Sequence, residues 1–194
     1  MALPETGRYF LAINLGPEVL DSLGETQEDL RGFDGPPIRW TPPEAMHLTL
    51  KFLGGSVPRS VAEEAVAALG PALAGSSPFE IGVRGLGAFP YQKSARVLWA
   101  GIEDPSGALS ALQSSIESGL AGLGPPARDF HAHVTLGRLR DRRERADLSR
   151  LIEATADRPF GSVDVREAVL YRSELSPQGP RYEAVAKEPL CGVP

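Results

Sequence analysis

Apolar positions along the chain come in short blocks that alternate between two periods. Arg8–Leu15 holds a run short enough for a buried strand, and Gly16-Pro17 closes it where a helix can begin. From Pro17 to about Leu30, Val19, Leu20, Leu23 and Leu30 recur among acids, which predicts an amphipathic helix stopping near Gly32. Pro36-Pro37 and Pro42-Pro43 then bracket an extended run, Ile38-Arg39-Trp40-Thr41, and His47–Leu53 reads as the next strand, closed by Gly54-Gly55. Ser60 suits a helix cap. Val61, Ala65, Ala68 and Leu69 follow at helical spacing, with Glu63 and Glu64 near the positive end of the helix dipole.

Beyond that helix the pattern predicts strands over Phe79–Leu86 and Arg96–Ile102, and a helix over Ser106–Leu120 through Leu109, Leu112, Ile116 and Leu120. A strand over His133–Leu139 and a helix over Arg145–Ala156 make the second half read as a repeat of the first. Further strands fall at Val163–Val165, Ala168–Leu175 and Tyr182–Ala186, the last two split by the turn Ser176-Pro177-Gln178-Gly179-Pro180. Interleaved helices and strands without a long linker predict an α+β fold. Residues 1–194 are expected to form one unit of two similar α/β lobes, with pseudo-symmetric halves carrying His47 and His133 and antiparallel sheets facing one another around a central cleft.

Composition narrows what such a fold can do. A net charge of −5 disfavours a surface that grips many phosphates of a duplex, so a nucleic-acid ligand would be held by one end, with local cations opposing the average field. The densest cationic stretch is Arg138, Arg140, Arg142, Arg143 and Arg145, which also reads as a solvated turn leading into a helix. One cysteine, Cys191, excludes an internal disulfide and a cysteine-based metal site. No apolar stretch reaches about 18 residues, and the opening residues lack the basic and apolar regions of a signal peptide, so a cytoplasmic setting away from membranes is expected.

The candidate chemistry rests on histidine. Of only three histidines, two stand in near-identical tetrapeptides, His47-Leu48-Thr49-Leu50 and His133-Val134-Thr135-Leu136. Residues i and i+2 of a strand share a face, so each imidazole stands beside a hydroxyl while the aliphatic residues face the core. One such motif alone would read as a hydrogen-bonded core histidine beside an ordinary β-forming threonine. Two copies at matching strand starts point to a shared cleft. Paired imidazoles suit phosphodiester hydrolysis, in which one group takes a proton from water while another protonates the departing sugar oxygen. The threonine hydroxyls can hold non-bridging phosphate oxygens, and no metal or other cofactor is called for.

On these residues the chain resembles the two-histidine phosphoesterase superfamily, and within it the bacterial RNA 2′,3′-cyclic phosphodiesterases, also called 2′-5′ RNA ligases. The resemblance is carried by Arg8–Leu15, by the run from Arg39 through the first HxTx motif to Gly54, by Phe130–Arg138, and by Leu170–Leu175 with Gly179 to Tyr182. It implies a bilobal phosphoesterase domain with a water-filled cleft, acting on RNA ends or small cyclic nucleotides without an obligatory protein partner, as a monomer. It also implies that His47 donates a proton to the 3′ oxygen, that His133 activates water, and that Thr49 and Thr135 orient the phosphate, leaving a 2′-phosphate.

Secondary candidates are placed less firmly by the pattern. Arg138 and Phe52 each lie five residues after a motif histidine, an odd offset that points away from the cleft in a regular strand. The resemblance nevertheless brings Arg138 to phosphate and lets Phe52 stack on a base. Arg172, Ser173 and Tyr182 are further candidates near the cleft, and Trp40 reads as packing. The family commonly has proline where this chain has Ala132, preceded by His131. His131 either lies at the cleft rim, touching sugar or base, or joins His47 and His133 in a three-histidine zinc site. Other substrates for the same groups remain open: a cyclic phosphate on a nucleotide-sugar, a 2′-5′ linked oligonucleotide, or an RNA tail trimmed from its end. So do weak reverse ligation, a non-catalytic module that binds a nucleotide or RNA end, and a partner-binding protein.

Overall fold

The alternating strand and helix segments do form, in a computed structural model that describes residues 3–32, 37–126, 129–141, 143–176 and 179–192. Pro36, Arg142 and the turn residues Pro177 and Gln178 lie outside the described residues. The strands are β1 (Thr6–Asn14), β2 (Ile38–Trp40), β3 (His47–Pro58), β4 (Phe79–Phe89), β5 (Val97–Glu103), β6 (His133–Leu139), β7 (Pro159–Val165), β8 (Glu167–Ser176) and β9 (Gly179–Pro189). The α-helices are α1 (Pro17–Asp29), α2 (Arg59–Leu73), α3 (Ala108–Gly119) and α4 (Ser149–Ala154).

All strand pairs are antiparallel, in the order β7-β4-β5-β6-β3-β1-β8-β9, with β2 added to β6. The seam between the two four-stranded sets is narrow: β3 and β6 meet at Leu48 opposite Val134. The sheet curls there, so the fold is α+β with two lobes about a cleft. Leu48, Leu50, Val134 and Leu136 are buried on the helix-covered side, as the strand period requires.

The lobes are not the two halves of the sequence. Helices α2 and α3 pack on each other and on β3, backing the β3-β1-β8-β9 lobe, whereas α1 packs on β7 and α4 on β4. Each lobe therefore borrows a helix from the other half of the chain, and a straightforward internal repeat gives way to an interlocked pair. The buried ion pair of Lys51 with Glu117 of α3, 2.6 Å long, ties one such borrowed helix to β3.

Two helix boundaries differ from expectation. Helix α2 starts at Arg59, putting Ser60 inside its first turn rather than at the cap. Helix α4 covers only Ser149–Ala154 of the predicted Arg145–Ala156. Ala146 spends its N–H and C=O on Ala95, at 3.1 and 2.8 Å, which removes both from helical bonding; the Asp147 carboxylate then accepts the Ser149 N–H.

Two β-bulges place the side chains that matter most. Thr49 pairs with Ala12 and Lys51 with Leu11, leaving Leu50 unmatched; Thr135 pairs with Trp99 and Gly137 with Leu98, leaving Leu136 unmatched. Each extra residue resets the alternation. Lys51 and Gly137 turn inward while Phe52 and Arg138 return to the face that carries His47 and His133. A side chain at Gly137 would collide with Ile38 and Trp40 of β2, so glycine lets β2 lie against the bulge.

The bulged Leu136 carbonyl is not wasted: it accepts from the Thr41 N–H and from Nε2 of Gln27, each at 2.8 Å, and Gln27 also donates to Thr41 O. Gln27 is buried. Its replacement in Gln27→Leu strands acceptors at the bulge and should cost about 1–3 kcal/mol. Urea unfolding of parent and variant measures this directly, and unchanged stability would remove Gln27 from the support of the bulge.

Candidate active site

The two motif histidines start β3 and β6, and the pairing of Leu48 with Val134 sets them side by side across the seam. Nδ1 of His47 donates to the carbonyl of Ala45 at 2.9 Å, and Nδ1 of His133 donates to the carbonyl of His131 at 2.7 Å. A carbonyl only accepts, so Nδ1 holds the proton in both rings and the neutral tautomer offers its lone pair at Nε2. The same bond to the residue two before thus fixes both tautomers.

Aromatic rings enclose the imidazoles. Phe10 stacks on His47 at 4.6 Å and Tyr182 meets it edge-on at 5.2 Å. Phe89 stands edge-on to His133 at 4.9 Å, with Trp99 at 6.0 Å. Gly87 makes room for the indole, since any side chain there would run into it. These walls remove water, and burial is the main reason that the His47 pKa falls from 6.5 to about 4; nearby His133 adds to the fall and the Ala45 carbonyl opposes it. Burial also lowers His133, assisted by His131 and Arg138 and opposed by the bond to the His131 carbonyl.

Both rings are therefore mainly neutral at pH 7. The unfolded chain protonates His47 near 6.5, whereas the folded protein resists until about 4. Stability from this residue is intact above pH 6.5 and drains as the pH falls, reaching a loss of about 3 kcal/mol near pH 4. In His47→Asn, which keeps a donor for the Ala45 carbonyl, unfolding free energy should lose about that much less than the parent between pH 7 and pH 4. Parallel stability curves would exclude a buried neutral His47.

The threonines complete each motif. Thr49 and Thr135 are half-buried on the cleft face, and among the described residues neither hydroxyl forms a hydrogen bond within the protein. A cavity of about 600 Å³ opens beside Thr49, lined by Phe52, Phe89, Phe130, His131 and His133 and reaching Lys51 and Glu117, with neither His47 nor Thr135 in its lining. Its size suits a nucleotide.

The secondary candidates divide. Phe52 and Arg138 reach the cleft face through the bulges, and Phe52 also carries Arg8 over its ring at 4.4 Å. Tyr182 stands against His47 and Phe10. Ser173 is buried between its cross-strand neighbours Arg8 and Tyr182, on the same face. Arg172 is not at the site: it pairs with Tyr9 on the opposite face and forms ion pairs with Glu174 at 2.6 Å and Glu183 at 2.7 Å. Trp40 packs against the core. His131 touches Trp99 and Phe89 at the rim, and no group of three His, Cys, Asp or Glu among the described residues could hold a metal ion, so it does not complete a zinc site with His47.

Sequence reasoning missed Phe10, Phe89, Trp99 and Arg8. Arg8, Phe10 and Asn14 carried a signal, since period two puts polar ends of an apolar strand on one face with Phe10 between them. Asn14 accepts from the Tyr171 hydroxyl at 2.7 Å, closing that wall. Nothing in the local pattern of β4 or β5 marked Phe89 or Trp99.

An interlocked α+β fold that turns two His-x-Thr strands onto one aromatic-walled cleft defines a class of protein, built for acid–base work on a small polar ligand. Comparison with known proteins narrows it. Residues 19–177 match the family profile described as the 2'-5' RNA ligase superfamily. The chain is 37% identical, over 90% of its length and 94% of the relative's, to a protein of Methanothermobacter thermautotrophicus named RNA 2',3'-cyclic phosphodiesterase. It is 34% identical to one of the same name from Thermus thermophilus, over 95% of this chain and 91% of that one. Among solved structures it is similar to TT0787 of Thermus thermophilus, with a TM-score of 0.78 and 30% identity over 95% of this chain and 98% of that one. LigT of E. coli in complex with 3'-AMP gives a TM-score of 0.74 and 28% identity over 96% and 99% of the two chains. The chain belongs to the 2'-5' RNA ligase superfamily.

Proposed function

We propose that this protein is an RNA 2′,3′-cyclic phosphodiesterase that opens the cyclic phosphate at an RNA end to a 2′-phosphate. The observation that carries the reading is the pair of imidazoles in one cleft, each with Nδ1 locked on a backbone carbonyl and Nε2 free. Nε2 of His133 takes a proton from water as the water oxygen bonds to phosphorus. The bond from phosphorus to the 3′ oxygen breaks, and His47 delivers a proton from Nε2 to that oxygen. The product keeps the 2′-phosphate, and the imidazoles return to their starting states through solvent. Thr49 and Thr135 hold the non-bridging oxygens, Phe52 offers a ring to the base, Arg138 supplies positive charge, and Ser173 and Tyr182 shape the wall beside His47. Both catalytic groups come from one chain, so the reaction needs no protein partner, and no step calls on a metal.

His47 must be protonated to donate, yet in the free protein its pKa is lowered to about 4. The negative charge of the bound phosphate favours the imidazolium and raises it. Because kcat/KM reports the free protein and kcat the complex, the pH optimum of kcat/KM should lie on the acid side of 6.5, while the alkaline limb of kcat should sit at higher pH. Coincident profiles would remove phosphate-assisted protonation from the scheme. The reading as a whole is tested by incubating adenosine 2′,3′-cyclic phosphate with the protein in excess EDTA and separating the products. Formation of adenosine 2′-phosphate supports it; a 3′-phosphate product reverses the roles of the two sugar oxygens, and tight binding without turnover makes the cleft a binding module.

A further inference from the structure

Near the reacting centre stands a group of arginines that the scheme above leaves largely unused. Arg138 of β6 faces Arg39 of β2 as its direct cross-strand partner, so the two side chains share a face. Arg8 of β1 approaches from the other lobe, over the ring of Phe52. Tyr182 shares the face of Arg8 through Ser173, the cross-strand partner of both, and burial raises its pKa while the charges of Arg8 and Arg138 oppose the rise. Burial and the charges of Arg39, Arg8 and Arg96 lower the pKa of Arg138, opposed by Tyr182.

None of Arg8, Arg39, Arg96 and Arg138 forms an ion pair among the described residues, although acids outnumber bases in this chain by 25 to 20. Gathering like charges without a counter-charge costs stability in the free protein. The cost is repaid when an anion arrives. Position matters too: Arg138 stands five residues along β6 from His133, and Arg39 pairs with it on β2, so these two lead away from His133 along the strand.

We infer that Arg8, Arg39 and Arg138 form a second phosphate subsite, which holds the phosphodiester immediately 5′ of the terminal nucleotide while the cyclic phosphate lies between His47 and His133. The inference rests on the hydrolase reading and sharpens it: the preferred substrate is an oligoribonucleotide with at least one internal phosphate, not a mononucleotide. Guanidinium groups suit this task, since their fork of donors matches two phosphate oxygens. Net negative charge elsewhere confines the attraction to this end of the cleft, so the protein grips one or two phosphates rather than a long stretch.

Three substrates test the subsite at low salt: adenosine 2′,3′-cyclic phosphate, the dinucleotide ApA ending in a 2′,3′-cyclic phosphate, and the same dinucleotide with a neutral methylphosphonate linkage. The parent should prefer the charged dinucleotide over the mononucleotide in kcat/KM by about tenfold or more. The neutral dinucleotide should lose most of that advantage, and so should raised salt. Arg39→Gln, and more strongly Arg8→Gln with Arg39→Gln, should bring the ratio of charged dinucleotide to mononucleotide towards one. A preference that survives the methylphosphonate would mean that the second base is recognised instead, and an Arg39→Gln ratio equal to the parent's would remove Arg39; either overturns the proposal. Calorimetric affinities for adenosine 2′-phosphate and ApA 2′-phosphate give the same comparison without turnover. A protein that hydrolyses none of the substrates but keeps the affinity ratio would sink the hydrolase reading and leave the subsite standing.

Discussion

His47→Ala and His133→Ala should each lower kcat/KM for a 2′,3′-cyclic phosphate end by about a thousandfold, with the double variant little worse than either single one. General acid and general base contributions each run to about 10²–10⁴, and groups that act in one concerted step are not additive. The structure supplies a cleaner version of the test. Because Nδ1 of each ring is held by the carbonyl two residues before it, asparagine can keep that bond while removing Nε2. His47→Asn and His133→Asn should therefore unfold near the parent's midpoint at neutral pH and still lose activity. Excess EDTA should leave the parent's rate unchanged. Activity that survives both asparagine variants, or that EDTA abolishes, would transfer the chemistry to other groups.

Much of this site was legible because the two motifs obey local rules. Strand period two puts His47 with Thr49 and His133 with Thr135 on one face wherever a strand forms, and β6 spans His133–Leu139 as read. What the pattern could not show is anything set by pairing between distant segments. Phe52 and Arg138 sit at odd offsets and reach the cleft only because Leu50 and Leu136 bulge, and those bulges exist in register with β1 and β5. The aromatic enclosure likewise comes from β1, β4, β5 and β9, four strands from both halves of the chain, meeting around two imidazoles. The swap of helices between lobes escaped the sequence for a related reason. An amphipathic helix announces that it has an apolar face, not which lobe that face covers. Arg172 erred in the opposite sense: its place in a matching motif suggested the cleft, while its pairing with Tyr9 turns it to Glu174 and Glu183.

The second large effect belongs to the threonines. Thr49→Val and Thr135→Val should each lower kcat by about 10²-fold, the range found when one donor to a developing oxyanion is removed. Valine keeps the β-branched shape and the strand preference, so β3 and β6 should stay in register. Neither hydroxyl bonds within the protein among the described residues, so little stability rests on them and the loss should fall on catalysis. Separating kcat from KM decides what they do. If the hydroxyls grip the ground-state phosphate and the transition state alike, KM rises and kcat holds; if they act as charge builds on the non-bridging oxygens, kcat falls and KM changes little. The geometry favours the second outcome, since each hydroxyl stands two residues along the strand from an imidazole and so beside the atoms on which charge develops. Serine at either position restores the donor without the methyl group. Recovery of most of the lost rate in Thr49→Ser and Thr135→Ser, set against its absence in the valine variants, would assign the effect to the hydroxyl; equal losses in serine and valine would assign it to packing and take the threonines out of the reaction.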